Sequence, residues 1–189
     1  MNDVLARAAA PAPGRGRTAW RRRLPDWLPL AAVAALILAA APLVLWTCRA
    51  VHPAPLVHDL ALFVHLGALV LGFGGVLCVD WVAALYLLRR RSLVEMVRAA
   101  DNAAVPIWAG YAGLVLSGVL LEPALDSPVV VVKLALVLVI GLNGVVALGV
   151  HRALGREADL RWMALGGSAA VISQLGWWGA TIIGFVNAH

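Results

Sequence analysis

The chain has 189 residues, of which 62% are hydrophobic and only 13% are charged. Soluble domains are about half apolar and about a quarter charged, so this composition excludes an ordinary soluble protein and indicates a membrane protein. The net charge of +5 does not favour nucleic-acid binding, because the basic residues lie in short flanks between apolar runs. The two cysteines, Cys48 and Cys78, fit no CxxC-type metal pattern, and we expect no disulfide between them.

The first 26 residues form a leader rich in Arg, Ala, Pro and Gly, with the run Arg21-Arg22-Arg23 near its end. The leader has too little apolar content to fold alone, which predicts disorder or contact with the lipid surface. We expect residues 27–189 to form a single transmembrane domain.

Five apolar segments predict an all-α, polytopic membrane protein. Each segment contains the roughly 20 residues that cross a bilayer core of about 30 Å. Pro42 predicts a kink or an early end in the first helix, and the polar stretch 92–102 predicts an amphipathic surface turn. The first helix has no polar group in its interior, so we expect it to pack outside a core bundle of four helices. The predicted helices are about 27–47, 59–88, 103–121, 128–150 and 162–187.

The distribution of basic residues predicts the orientation. If the N-terminus is cytoplasmic, thirteen of the fifteen Lys and Arg residues lie on the cytoplasmic side, as the positive-inside rule requires. Only Arg49 is then external, and Lys133 lies within the fourth helix. We therefore expect a multi-pass protein of the bacterial inner membrane. Its partners would be the lipid bilayer and either another membrane protein or a second copy of the chain, with no nucleic acid.

The second segment carries two ionisable residues, His65 and Asp80, inside its apolar run. Each costs roughly 2.5–3.5 kcal/mol at membrane depth on insertion scales, so such residues usually face a partner or a cavity. The same segment contains four glycines that allow a neighbouring backbone to approach closely. These are Gly67, Gly72, Gly74 and Gly75.

His65 and Lys133 are expected at the same depth, about 10 Å outside the membrane midplane. One interpretation is structural: Lys133 extends outward to Glu122 or Asp126, and His65 is a hydrogen-bonded core residue. A second is a cofactor site, in which His65 is an axial ligand of haem b and Lys133 is a second ligand or a propionate partner.

A third interpretation is a metal or small-solute site near the outer surface. It would use His58 and His65, seven residues apart on one helix face, together with His52. Imidazole ligands of this kind suit copper or zinc.

Four further polar residues lie at membrane depth: Asp80, Asn143, Ser173 and Gln174. The simplest interpretation of Asp80 is an ion pair with the cytoplasmic arginines, of which Arg89 is the nearest in sequence. The alternative is that Asp80 accepts protons at the inner end of a polar file. This file is a line of polar side chains that runs from Asp80 past Asn143 and Gln174 to Lys133. Ser173 and Gln174 are most often hydrogen-bonding residues between helices.

The run His65-Leu66-Gly67-Ala68, followed by a glycine-broken helix, and the later run Lys133-Leu134-Ala135-Leu136 resemble a superfamily of small bacterial membrane proteins. It includes the copper-resistance CopD type and the HemJ type of protoporphyrinogen oxidase. In the HemJ type, a helix-borne histidine and a lysine are associated with haem b and activity, and the resemblance carries those roles onto His65 and Lys133. The chain departs from the pattern at Gly72-Phe73, where such helices often have a tryptophan–glycine pair, and in its added leader and first helix.

No motif in the sequence specifies a reaction, so three functions stay open. The first is an accessory or binding protein of the membrane without chemistry of its own. The second is a haem-associated redox protein that uses His65 and Lys133. The third is transport of a metal or small solute. Hydrolysis is disfavoured because no nucleophile, base and orienting carboxylate share one depth.

Overall fold

The computed structural model describes residue 25 and residues 27–156 and 159–187. These residues form five α-helices and no strand, which confirms the all-α prediction. The predicted basic leader, residues 1–26, lies outside the described residues apart from Pro25. The helices are α1 (Trp27–Ala50), α2 (Pro55–Leu87), α3 (Leu93–Val119), α4 (Pro128–Leu154) and α5 (Leu160–Val186).

All five helices are long and apolar enough to cross a membrane, which indicates a multi-pass membrane protein. The longest, α2, has 33 residues and a length of about 50 Å, well beyond a hydrocarbon core of about 30 Å. The end of the bundle where α2 and α4 begin is called the outer end below. The end where α3 and α5 begin is called the inner end.

Local sequence sets where the helices begin and end. Pro55 and Pro128 open α2 and α4 at the first turn, where the missing N–H of proline removes no helical hydrogen bond. Ser92 and Glu95 form a capping box at the start of α3, with the Ser92 hydroxyl accepting from the Glu95 N–H and the Glu95 carboxylate accepting from the Ser92 N–H. The C-terminal end of α2 precedes Arg89, which has a φ of 58°.

Two local expectations do not hold. Of the two effects expected at Pro42, the early end is wrong, because α1 continues through Pro42 to Ala50. The stretch 92–102 is not a separate surface turn, because α3 already begins at Leu93 and continues without a break to Val119. A helix satisfies its own backbone hydrogen bonds whatever its side chains are, so it extends past the apolar segment when a cap starts it earlier.

The four core helices pack as two hairpins, α2 with α3 and α4 with α5. Glycines bring α2 and α3 into contact: a Cβ at Gly110 would overlap the backbone of Gly72 and lie 2.7 Å from the Ala68 oxygen. A Cβ at Gly113 would lie 2.8 Å from the Ala68 Cβ. The predicted close approach thus holds for Gly72, whereas Gly67 and Gly74 have no neighbour within 4 Å of an added Cβ.

The helix α1 lies against α4 and α3, and Cys48 is its one buried residue. It contributes no residue to the apolar core, which is built from α2, α4 and α5 around Phe73, Val76, Ile140 and Trp177. Phe73 stacks on Trp177 with ring centroids 5.5 Å apart. Cys48 and Cys78 are both free, as predicted.

Candidate functional site

His65 is held by a serine on the neighbouring helix. Its Nδ1 lies 2.9 Å from Ser117 Oγ, and Ser117 Oγ donates to the Gly113 carbonyl at 2.5 Å. Because a hydroxyl has only one hydrogen, Ser117 accepts the bond from His65. A neutral imidazole that donates from Nδ1 has its lone pair on Nε2.

Lys133 lies across from His65, on α4, and is half-buried. The two side chains are within range of electrostatic interaction. In the described part of the chain, no carboxylate lies within 4.0 Å of the Lys133 ammonium. The expected extension of Lys133 to Glu122 or Asp126 is therefore wrong. Glu122 binds His52 instead, with 2.8 Å between Oε1 and Nδ1.

The three outer histidines have separate partners. His52 pairs with Glu122, the nearest acid to His58 is Asp59 at 3.9 Å, and His65 binds Ser117. Among the described residues, no three His, Cys, Asp or Glu side chains come together as a metal site. The described residues therefore supply no third ligand for a metal site at His58 and His65.

Within the described residues, Asp80 does not form the expected ion pair with an arginine of the inner end. Its Oδ2 accepts a hydrogen bond of 2.5 Å from Gln174 Nε2, which joins α2 to α5. Its other neighbour is His151 of α4, which lies within range of electrostatic interaction. The arginine prediction fails because Arg89 lies beyond the end of α2, whereas Asp80 is seven residues inside that end and faces the bundle.

A cavity of about 130 Å³ lies between α2, α3, α4 and α5 in the inner half of the bundle. Its polar lining comprises Asp80, Asn143, His151 and Ser173. Asn143 is 9% exposed, and its Nδ2 donates to the Ala169 carbonyl at 2.8 Å, which ties α4 to α5. The predicted hydrogen bonding between helices therefore holds for Gln174, and Asn143 adds a second bond of this kind that was not predicted. Ser173 lines the cavity.

The two polar clusters are separated by apolar side chains. On the face of α2 that carries His65 and Asp80, the intervening residues are Leu69, Phe73 and Val76, all part of the apolar core. The predicted polar file from Asp80 to Lys133 is thus interrupted within the described residues. The protein has an outer cluster and an inner cavity as two distinct sites.

Two lining residues of the inner cavity, His151 and Trp108, are absent from the predicted sites. The predicted fourth helix ends at residue 150, but α4 continues to Leu154 and keeps the His151 imidazole inside the bundle. The sequence does carry a signal, because Gly144 and His151 are seven residues apart and so lie on one helix face. Trp108 lines the cavity beside Gly144, where an added Cβ would lie 3.3 Å from its ring.

Comparison of the chain with protein-family models, with curated proteins and with solved structures found no match. The likeness to the CopD and HemJ types stays a prediction that these comparisons do not test. The function is therefore argued from the two clusters themselves.

Proposed function

We propose that this chain is a binding protein of the bacterial inner membrane that takes up a small solute in its inner cavity. Its five helices would cross the bilayer with the N-terminus in the cytoplasm, so the inner end of the bundle faces the cytoplasm. This orientation is supported by the concentration of arginines in the loops of the inner end, of which Arg89, Arg90 and Arg91 form the largest group in the described residues.

The observation that carries the proposal is the carboxylate of Asp80 on a cavity wall without an ion-pair partner within 4.0 Å in the described residues. An ionisable group at membrane depth is costly and marks a ligand or ion site more often than a structural contact. A cavity of similar size, about 150 Å³, holds a molecule as large as benzene. The cavity here, about 130 Å³, therefore suits a solute of up to about six heavy atoms.

Binding of three-carbon probes tests this proposal. Purified protein in nanodiscs is dialysed against n-propylammonium, n-propanol or propionate, and bound probe is measured over a concentration series. We expect saturable binding of at least one probe, because each is small enough for the cavity. Ala104→Leu should abolish that binding, since Ala104 lines the cavity and leucine fills part of it.

The matched control is Ala109→Leu, which makes the same substitution on the exposed side of α3. It should bind the probes as the wild type does. Absence of saturable binding of all three probes to a folded wild-type protein contradicts the proposal. An equal loss of probe binding in Ala104→Leu and Ala109→Leu would also contradict the proposal, because the loss would not come from filling the cavity.

A second candidate function is a haem-associated redox protein, which is favoured by the orientation of His65. A histidine that ligates a metal commonly donates its other ring N–H to a fixed acceptor, and Ser117 is such an acceptor for the Nδ1–H of His65. The residues therefore fit as ligand donors: His65 would hold the iron, and Lys133 would lie beside it. A bound haem would supply one-electron transfer.

The visible spectrum of the detergent-purified protein tests the second function. If haem is bound, we expect a Soret band in the wild type and its loss in His65→Ala. The control is Ser168→Ala, on an exposed face of α5, which should retain the band. A colourless wild-type preparation from haem-supplied cells, with normal yield, eliminates this function and leaves the inner cavity unaffected.

A further inference from the structure

We infer that the solute of the inner cavity is a small organic cation of the primary ammonium type. This inference rests on the proposed function and specifies its ligand. It is drawn from the charge, the hydrogen-bonding character and the shape of the lining between α2 and α5.

The charge of the lining favours a cation. Among the described lining residues, Asp80 is the one carboxylate, and none is a lysine or an arginine. Gln174 donates to Oδ2 of Asp80, and the hydrogen bonds of the described residues leave Oδ1 without a protein donor. A buried carboxylate needs a compensating charge or hydrogen bonds, and an ammonium group supplies both. An anion in the same cavity would meet the charge of Asp80 at short range.

The polar lining offers hydrogen-bond acceptors on four side chains, one of which is Asp80. Asn143 donates one of its two Nδ2 hydrogens to Ala169, and its Oδ1 is available as an acceptor. The Ser173 hydroxyl adds an acceptor, and so does the imidazole of His151 in its neutral form. A primary ammonium is a compact group with three N–H donors and no acceptor, which complements this set.

The apolar lining fits the organic part of such a ligand. Trp108 and Trp177 contribute indole rings to the wall, and aromatic rings attract cations through their faces, more strongly when water is excluded. Trp177 is 2% exposed and fixed by stacking on Phe73, so its ring is a rigid part of the wall. A hydrated metal ion would gain nothing from these rings, whereas an alkylammonium ion uses both the rings and the acceptors.

Competition between isosteric probes tests the inference. In nanodiscs at pH 7, we expect the wild type to bind n-propylammonium at least tenfold more tightly than neutral n-propanol. Asp80→Asn should reduce the affinity for n-propylammonium at least tenfold and leave that for n-propanol unchanged. The substitution is isosteric and its amide still bonds to Gln174. The control Asp59→Asn, on the same helix with its side chain 79% exposed, should leave both affinities unchanged.

The outcomes separate the ligand class from the existence of the site. If the wild type binds n-propanol or propionate as tightly as n-propylammonium or more tightly, the assignment of the ligand as a cation is overturned. The proposed binding function then still stands. If no probe binds, both proposals fail. The comparison of probes on the wild type decides the ligand class by itself, so the test holds even if Asp80→Asn does not fold. Retention of n-propylammonium binding in a folded Asp80→Asn protein also overturns the inference.

Discussion

Replacement of Gly110 by alanine is expected to destabilise the protein by about 3 kcal/mol, the upper part of the usual range for overpacking. The added Cβ would overlap the backbone nitrogen and Cα of Gly72. Backbone atoms of a packed helix cannot rotate away as a flexible side chain can, so α2 and α3 must move apart. Because contacts between membrane helices depend on close packing rather than on a hydrophobic driving force, that separation weakens the whole hairpin.

The matched control for Gly110→Ala is Gly74→Ala, which makes the same change on α2 where an added Cβ meets nothing within 4 Å. Its free energy of unfolding should stay within about 0.5 kcal/mol of the wild type. Unfolding of the detergent-purified proteins by SDS titration, followed by circular dichroism, measures both variants. Equal stability of Gly110→Ala and Gly74→Ala would show that the helices do not cross at these glycines.

The sequence predicts the number and class of the helices well because the bilayer imposes a strong constraint. A membrane span needs about 20 apolar residues with all backbone hydrogen bonds satisfied internally, and all five such segments form helices. The helix ends are less predictable, since they depend on caps. Ser92 and Glu95 start α3 ten residues before its apolar part, and a hydropathy pattern does not contain that information.

The sites are less predictable because side-chain partners depend on how the helices are rotated and paired. Depth along the membrane predicts that His65 and Lys133 share a level, but it does not identify Ser117 as the hydrogen-bond partner that orients the imidazole. For Asp80, proximity in sequence favours Arg89, whereas the packing of α2 beside α5 provides Gln174. Helix periodicity gives the face of each residue but not the partner of that face.

Water access to the inner cavity gives an all-or-none prediction at two adjacent residues of α4. Ala147 lines the cavity, and Val146 is 47% exposed on the outside of the bundle, where lipid would cover it. Both lie about 10 Å from the inner end of the helix. A thiol reacts through its thiolate, which forms in water and not in lipid. Ala147→Cys should therefore react with a membrane-impermeant thiol reagent, and Val146→Cys should not.

The measurement uses membrane vesicles of both orientations in nitrate buffer, silver ion as an impermeant thiol reagent small enough for the cavity, and a background in which Cys48 and Cys78 are replaced by alanine. The thiol left unmodified is titrated after denaturation in SDS. The proposed cavity predicts that Ala147→Cys is modified in inside-out vesicles and protected in right-side-out vesicles, with Val146→Cys unmodified in both. Modification of Val146→Cys in place of Ala147→Cys, or no modification of Ala147→Cys from the cytoplasmic side, would contradict a solute cavity that opens to the cytoplasm.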